Sequence, residues 1–504
     1  MEDFISALNS IIWSPALIYL CLGAGLFYSI LTRFAQVRHF KEMCKLLLNN
    51  SESDKGISSF QALAVSLSGR VGVGNIAGVA AAIGFGGPGA IFWMWVVAFL
   101  GASTAYAEST LGQLYKVEEN GQYRGGPAYY FERCLGWRWL GVLFAISAII
   151  GCGIFLPGVQ ANAVGNAVTQ IFGDGTMVVT SFGEVGTYKL IGLAVILIIL
   201  AFIIFGGIKR IAHFTQIVVP FMALGYIVMA LIVVFLNLDK VPGIFSLIIS
   251  DAFTAQAGFG AAIGWGVKRG IYSNEAGQGT GPHAAAAAEV DHPAQQGLVQ
   301  AFSVYVDTLF VCTATALMIL ITQQYNVVGE LTDGSFIVQN VDAATEIGSA
   351  AFTQMALLSV FGNFGQVFVG LALFFFAFTT ILAYYYITET NVAYLNRVFN
   401  NKLPSIVFKL LLMFMVAYGT VNSAGYIWNI GDIGVGLMAW VNVLGILVIF
   451  FMYKPTMRCL RDFEEQKKAG GPITFDPVKL GITNATFWEN KLAKAKAEQD
   501  KHLP

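Results

Sequence analysis

Apolar residues run along this chain in stretches of twenty or more, without the two-residue alternation of a half-buried strand. About 20 such residues in a helix cross the hydrocarbon of a bilayer. Eleven spans are predicted by that rule: 11–33, 58–84, 88–115, 138–168, 187–207, 211–237, 244–270, 296–323, 362–393, 404–423 and 428–452. Runs such as LIGLAVILIILAFIIF (190–205) exclude a barrel, whose strands alternate about every second residue. The fold class is therefore all-α and polytopic, because lipid offers no partner to an open strand edge.

Basic residues orient the spans. The connections after the odd-numbered spans carry clusters such as Arg38, Lys41 and Lys45, then Lys116, Arg124 and Arg133. The even-numbered connections hold only Lys189 and Lys240, and the long 324–361 loop is acidic. Positive loops stay in the cytoplasm. The amino terminus is expected outside, with no cleaved leader, and the carboxyl tail, 453–504, inside as a short amphipathic or extended segment.

Two spans break the apolar pattern. The second, SSFQALAVSLSGRVGVGNIAGVAAAIGF (58–85), places three glycines and the polar Ser68, Arg70 and Asn75 at mid-depth. The seventh, GIFSLIISDAFTAQAGFGAAIGWGVKRG (243–270), carries Gln256, Gly258 and Gly260. A helix-interior glycine costs about 1 kcal/mol relative to alanine, so such clusters mark places where a helix opens. Opened helices expose N–H groups that suit a carboxylate and carbonyls that suit a small cation. Such backbone is tolerated at membrane depth only where it lines a cavity or is buried in protein. With span one (11–33) set aside as an added helix, the two interrupted spans open two blocks of five. These are 58–237 and 244–452, of opposite topology, and matched interruptions of this kind point to a transporter's binding site. Small-residue packing contacts are the alternative use of the same glycines.

Composition agrees. Of 504 residues, 56% are apolar and only 12% charged, half the roughly 25% of a soluble domain. The net charge of −1 gives no basic face for nucleic acid. The six cysteines are scattered and the five histidines form no metal pair, His283 and His292 being read as exposed loop residues.

Two stretches resemble the signature segments of the alanine/glycine:cation symporter family, within the amino acid–polyamine–cation superfamily: SGRVGVGNIAGVAAAIGFGGPGAIFWMWVVAFLG (68–101) and SNEAGQGTGPHAAAAAEVDHPAQQG (273–297). The resemblance covers roughly residues 5–455. It implies a five-plus-five inverted-repeat fold, with sodium- or proton-driven uptake of a small neutral amino acid such as alanine or glycine across a bacterial inner membrane. Carried over residue by residue, it places sodium at Ser68, Val71, Phe376, Thr379 and Thr380. Arg70 departs from the small residue usual at its position. The substrate reading puts the carboxylate on the N–H groups of Gly72, Val73, Gly74 and Asn75. The ammonium falls to Gln256 and the carbonyls of Gly258, Phe259 and Gly260, with Phe155 and Phe259 walling the side-chain pocket.

Arg70 is expected to pair with Glu108 or Asp307. Asp251 and Asp432 are read as facing water at span ends. NEAGQGTGPHAAAAAEV is read as the cytoplasmic end of span seven, a turn and a short helix that helps close an inner gate. No cofactor, enzymatic cluster or obligate protein partner is expected. The rival to sodium symport is proton-coupled symport and, further off, a channel.

Overall fold

The computed structural model describes residues 2–48, 55–119, 121–181, 183–205, 207–253, 259–329, 335–400 and 404–501. Each of the eleven predicted stretches falls on helix, but several are not continuous rods. The first is split at Ser14 into α1 (Glu2–Ile12) and α2 (Pro15–Leu31). Two short helices follow, α3 (Ala35–Arg38) and α4 (Phe40–Leu46). The second span is α5 (Ser59–Arg70), a single 3₁₀ turn at Val73–Asn75, and α6 (Ala77–Gly86). Ser58 caps α5 through a reciprocal pair of hydrogen bonds with Gln61, which satisfies two otherwise orphaned donors.

Then come α7 (Ala90–Leu114), α8 (Pro127–Leu135) and α9 (Arg138–Ala148), the last running through a π turn at Ile149–Phe155 into α10 (Leu156–Phe172). The first half closes with α11 (Thr187–Ile204) and α12 (Gly207–Phe235). The second half begins with α13 (Val241–Asp251), α14 (Phe259–Asn274) and the short α15 (Gly281–Ala287). Helix α16 (Pro293–Val304) passes through a second π turn, Tyr305–Cys312, into α17 (Thr313–Ile321). The rest are α18 (Ala351–Phe361), α19 (Asn363–Val398), α20 (Ser405–Val421) and α21 (Ala424–Tyr453), with α22 (Pro455–Ala469) and α23 (Thr486–Lys501) in the tail. Among the described residues, eight helical stretches are long and apolar enough to cross a membrane, three of them (Glu2–Leu31, Arg138–Phe172 and Pro293–Ile321) counted across their breaks or π turns. Three two-stranded antiparallel hairpins sit in connections.

The helices form two packed groups. Helix α7 lies against α2, α14, α15 and α16, and α6 against α14. Helix α10 lies against α19, α20 and α21. Large apolar side chains left exposed, such as Ile198 and Phe202 on α11 and Phe221 on α12, mark a face suited to lipid. Helix α10 meets its neighbours through glycine. A Cβ on Gly434 of α21 would stand 2.8 Å from the Cα of Gly151, and one on Gly419 of α20 would strike the backbone of Gly158.

The tail is more ordered than its sequence suggests. Helices α22 and α23 dock on the protein body, where Trp488 is buried and donates its indole N–H to the Gln113 carbonyl at 3.1 Å. Asp462 of α22 lies 3.3 Å from the buried His292, which caps α16. His283 is also buried, held by Asn391 and the Thr280 carbonyl, so neither histidine is the exposed loop residue expected. His283 lies on α15 and His292 at the N-terminal cap of α16, each buried with polar partners that replace water.

Candidate functional site

The opening of span two is where its glycines place it. Helix α5 ends at Arg70, Gly72 is extended, and α6 starts at Ala77. A Cβ on Gly72 would meet the Thr380 hydroxyl at 2.5 Å and the Gln160 carboxamide at 3.1 Å, and one on Gly74 would meet the Ser273 Cα at 3.2 Å. These glycines let α10, α14 and α19 approach bare backbone.

Helix α13 ends at Asp251 and α14 starts at Phe259, and the expected opening of span seven between them falls largely outside the described residues. Gln256 and Gly258 lie outside the described residues, and nothing is described of the Phe259 side chain. Gly260 is exposed near the start of α14 with nothing within 4 Å of a would-be Cβ. The whole of α14 separates it from the Gly72 region. The unwound backbone that reaches the α5–α6 opening is Glu275–Thr280, between α14 and α15. It turns on left-handed residues Glu275 (φ 55°), Gly277 (φ 84°) and Gly279 (φ 80°). The stretch expected as a turn at the cytoplasmic end of the span is a buried joint. The glycines at 277 and 279 are its signal, masked by polar residues that resemble a surface loop.

The buried Glu108 of α7 fastens that joint. It accepts the N–H groups of Gly277 and Gly279 at 3.2 and 3.1 Å and the Asn442 amide of α21 at 2.7 Å. Across the other opening, Asn75 accepts the Gly72 N–H at 2.8 Å and donates to Asp307 at 2.6 Å. Asp307 also accepts the hydroxyls of Ser273, at 3.0 Å, and Thr308, at 2.7 Å. The Val73 N–H goes to the Gln160 side-chain oxygen at 3.1 Å. Gln160, Ser273 and Glu275 carry no sequence signal of their own, being single polar residues in apolar or glycine-rich stretches.

Of the five expected cation ligands, Thr380 of α19 and Ser68 of α5 meet across elements, the Thr380 hydroxyl lying 2.8 Å from the Ser68 carbonyl. Within α19 the Thr380 hydroxyl also bonds the Phe376 carbonyl at 2.8 Å, and the Thr379 hydroxyl bonds the carbonyls of Phe375 and Phe376 at 2.9 and 3.1 Å. Val71 is buried one residue beyond the end of α5. Carbonyls freed at the C-terminal end of α5, joined by the Thr380 hydroxyl, are neutral oxygens suited to a monovalent cation; divalent sites usually demand carboxylates. Phe155 ends the π turn, and its ring lies against Gly434 of α21, 3.5 Å from that residue's would-be Cβ.

Arg70 makes no ion pair. Its Nη1 donates to the Gln300 carbonyl at 3.0 Å and to the Ser303 hydroxyl, while Nε and Nη2 lack hydrogen-bond partners. The buried ion pair belongs to Asp432 of α21, which grips Arg269 at 2.8 and 3.0 Å and Lys268 at 2.7 Å. Asp432 is 1% exposed, so it does not face water. Asp251 accepts the Gly89 N–H at 2.7 Å.

A family model described as the sodium:alanine symporter family matches residues 1–477. The chain belongs to that family. Among members of the sodium:alanine symporter family and its relatives, YrbD of Bacillus subtilis (strain 168) is 53% identical over 495 residues, 97% of this chain and 98% of that one. The sodium/proton-dependent alanine carrier protein of Bacillus sp. (strain PS3) is 46% identical over 467 residues, 92% of this chain and all of its own. The crystal structure of MhsT in complex with L-phenylalanine superposes with a TM-score of 0.52 at 15% identity, covering 86% of this chain and 97% of that one. That likeness establishes the fold. The sodium:alanine symporter family comprises transporters, not enzymes, and this member is an integral membrane protein.

Proposed function

We propose that this chain couples sodium to the uptake of alanine and other small neutral amino acids, glycine included, by alternating access. The observation that carries the reading is the contact of the Thr380 hydroxyl of α19 with the Ser68 carbonyl beside the α5–α6 opening. Sodium would replace the hydroxyl-to-carbonyl hydrogen bonds there, with Val71 as a further carbonyl ligand. The substrate carboxylate would take the Val73 N–H from Gln160, whose carboxamide oxygen already holds the place of a carboxylate oxygen. The neighbouring N–H groups of Gly72, Gly74 and Asn75 complete that end. The ammonium would face the carbonyl end of α14, where Ser273 packs on Gly74.

In this reading the two halves, 58–237 and 244–452, are inverted repeats, each opened by a broken helix. The second break is set at Glu275–Thr280. The protein resides in a bacterial inner membrane with its amino terminus outside. The names of the relatives agree, one being a sodium/proton-dependent alanine carrier.

The test is uptake of labelled alanine into proteoliposomes with sodium and proton gradients imposed separately. Saturable uptake driven by sodium supports the proposal. Uptake indifferent to sodium, or linear and non-saturating as in a channel, would sink it.

A further inference from the structure

The buried charges around Arg70 do not balance. Its guanidinium interacts electrostatically with Glu275, Glu108 and Asp307, yet none stands within the 4.0 Å of an ion pair. All four residues are at most 3% exposed. One cation among three ionised carboxylates would leave two buried negative charges uncompensated, which a low-dielectric interior does not sustain.

The three acids are not equivalent. Glu108 accepts two backbone N–H groups and an amide, and Asp307 accepts an amide and two hydroxyls. Three donors suit an ionised carboxylate. On Glu275, Oε2 accepts the Thr280 hydroxyl at 2.8 Å and the carboxyl also meets the Tyr384 hydroxyl, so among the described residues it has fewer donors than the other two acids. Glu275 borders a cavity of about 10 Å³, room for a single water, which Ser66, Gly69, Thr280 and Ala383 also line. A Cβ on Gly69 would stand 3.2 Å from Oε2, so the carboxyl lies next to the residue that precedes Arg70. A guanidinium with two donors unmatched among the described residues and a nearby carboxylate met only by two hydroxyls, both buried, would close on each other if both were charged. They have not closed. Asp307, Tyr384 and Tyr386 face Glu275 from the π turn after α16 and from α19, Tyr272 from its own helix and Cys152 from the π turn before α10. Arg70 is the cation among them.

Resting on the symport reading above, we propose that Glu275 is the proton-carrying residue of the transport cycle, neutral in this arrangement and ionised when its carboxylate pairs with Arg70. Its backbone sits in the left-handed turn of the α14–α15 joint, so opening that joint re-aims the carboxyl. A proton from water on the face to which the site opens forms the O–H bond on Oε1. When the joint opens to the other face that bond breaks, the proton returns to water there, and the carboxylate closes on Arg70.

The experiment is alanine counterflow in proteoliposomes at equal sodium on both sides, over a range of pH. The wild-type rate is expected to change by up to about tenfold per pH unit across one titration. Glu275→Gln should flatten that profile to less than about twofold. A variant that keeps the wild-type pH profile overturns the proposal. The unmodified protein gives a second readout that needs no variant. Adding alanine and sodium in weakly buffered detergent should take up or release up to about one proton per molecule as the arrangement changes, reported by an indicator dye. No change in bound protons overturns the proposal as well. Absence of any wild-type counterflow would refute the symport reading itself and is seen before the variant is compared.

Discussion

The Thr380 hydroxyl stands 2.8 Å from the Ser68 carbonyl, joining α19 to the frayed end of α5 across the two helix groups. Neither helix offers enough oxygen alone. A cation held there ties the groups together, which is what a coupled ion must do if it is to favour one conformation over another. Replacing Thr379 and Thr380 together by alanine should lower sodium affinity at least about tenfold, roughly 1.4 kcal/mol, with the protein still folded. Sodium-dependent alanine binding to the purified double variant checks this, and an unchanged affinity refutes the site.

Gly72 is the narrowest part of the same region. Alanine there would place a methyl group 2.5 Å from the Thr380 hydroxyl. Overpacking of this kind costs about 1–3 kcal/mol. Gly72→Ala should abolish uptake while lowering the thermal midpoint only modestly. Wild-type uptake by that variant would mean that the opening has room for a methyl group and that its width does not limit transport.

Asp432 holds two cations, Arg269 and Lys268, with the Arg269 guanidinium also 4.5 Å from the Trp428 ring centre. Removing the shared anion strands both. Asp432→Ala should destabilise the protein by about 3–5 kcal/mol, the range for breaking a buried pair from one side. Thermal unfolding in detergent measures it. A loss under about 1 kcal/mol would show that Arg269 and Lys268 find other partners.

The docked tail gives a prediction in pH. Burial pulls the His292 imidazole below its ordinary 6.5, while the His292 hydrogen bond leads the effects that hold the neighbouring Asp462 below the usual carboxylate range. A histidine with a depressed folded value destabilises the docked state once the pH falls below 6.5, because the undocked form binds the proton more readily. The Asp462 contribution is present above 3.8 and fades as the pH falls through its depressed value. Tail docking should therefore weaken on acidification, first from the histidine. Limited proteolysis of the 470–485 connection between about pH 7 and pH 5 should show rising cleavage. Trp488→Ala, which removes a buried aromatic anchor worth about 3–5 kcal/mol, should expose the same segment at neutral pH.

Much of the architecture is legible in the sequence because lipid imposes one rule, twenty apolar residues per crossing, and glycine clusters interrupt it visibly. Ser68 and Gly72 lie against Thr380 because a helix opening and a hydroxyl on a facing helix need only the right helix faces. The buried joint at Glu275–Thr280 is hidden from the sequence because SNEAGQGTG looks like a water-exposed turn. Its polarity is spent internally: Glu108, distant in sequence, consumes the Gly277 and Gly279 N–H groups. No local pattern announces such a long-range partner, and the burial of His283, His292 and Asp432 is hidden for the same reason.

Helix α10 and the π turn before it touch α20 and α21 through Gly158 against Gly419 and Gly151 against Gly434, main chain on main chain. Few side chains cross these seams: Asn162 of α10 donates to the Gly419 and Asn422 carbonyls at 2.8 Å, and Cys152 lies 3.8 Å from Met438. Sliding along the first seam breaks the Asn162 bonds, so resistance to movement is concentrated there. Speed of turnover is thereby tunable at a few polar residues without reshaping the bundle, whereas one methyl group set into either seam would jam it like grit in a bearing.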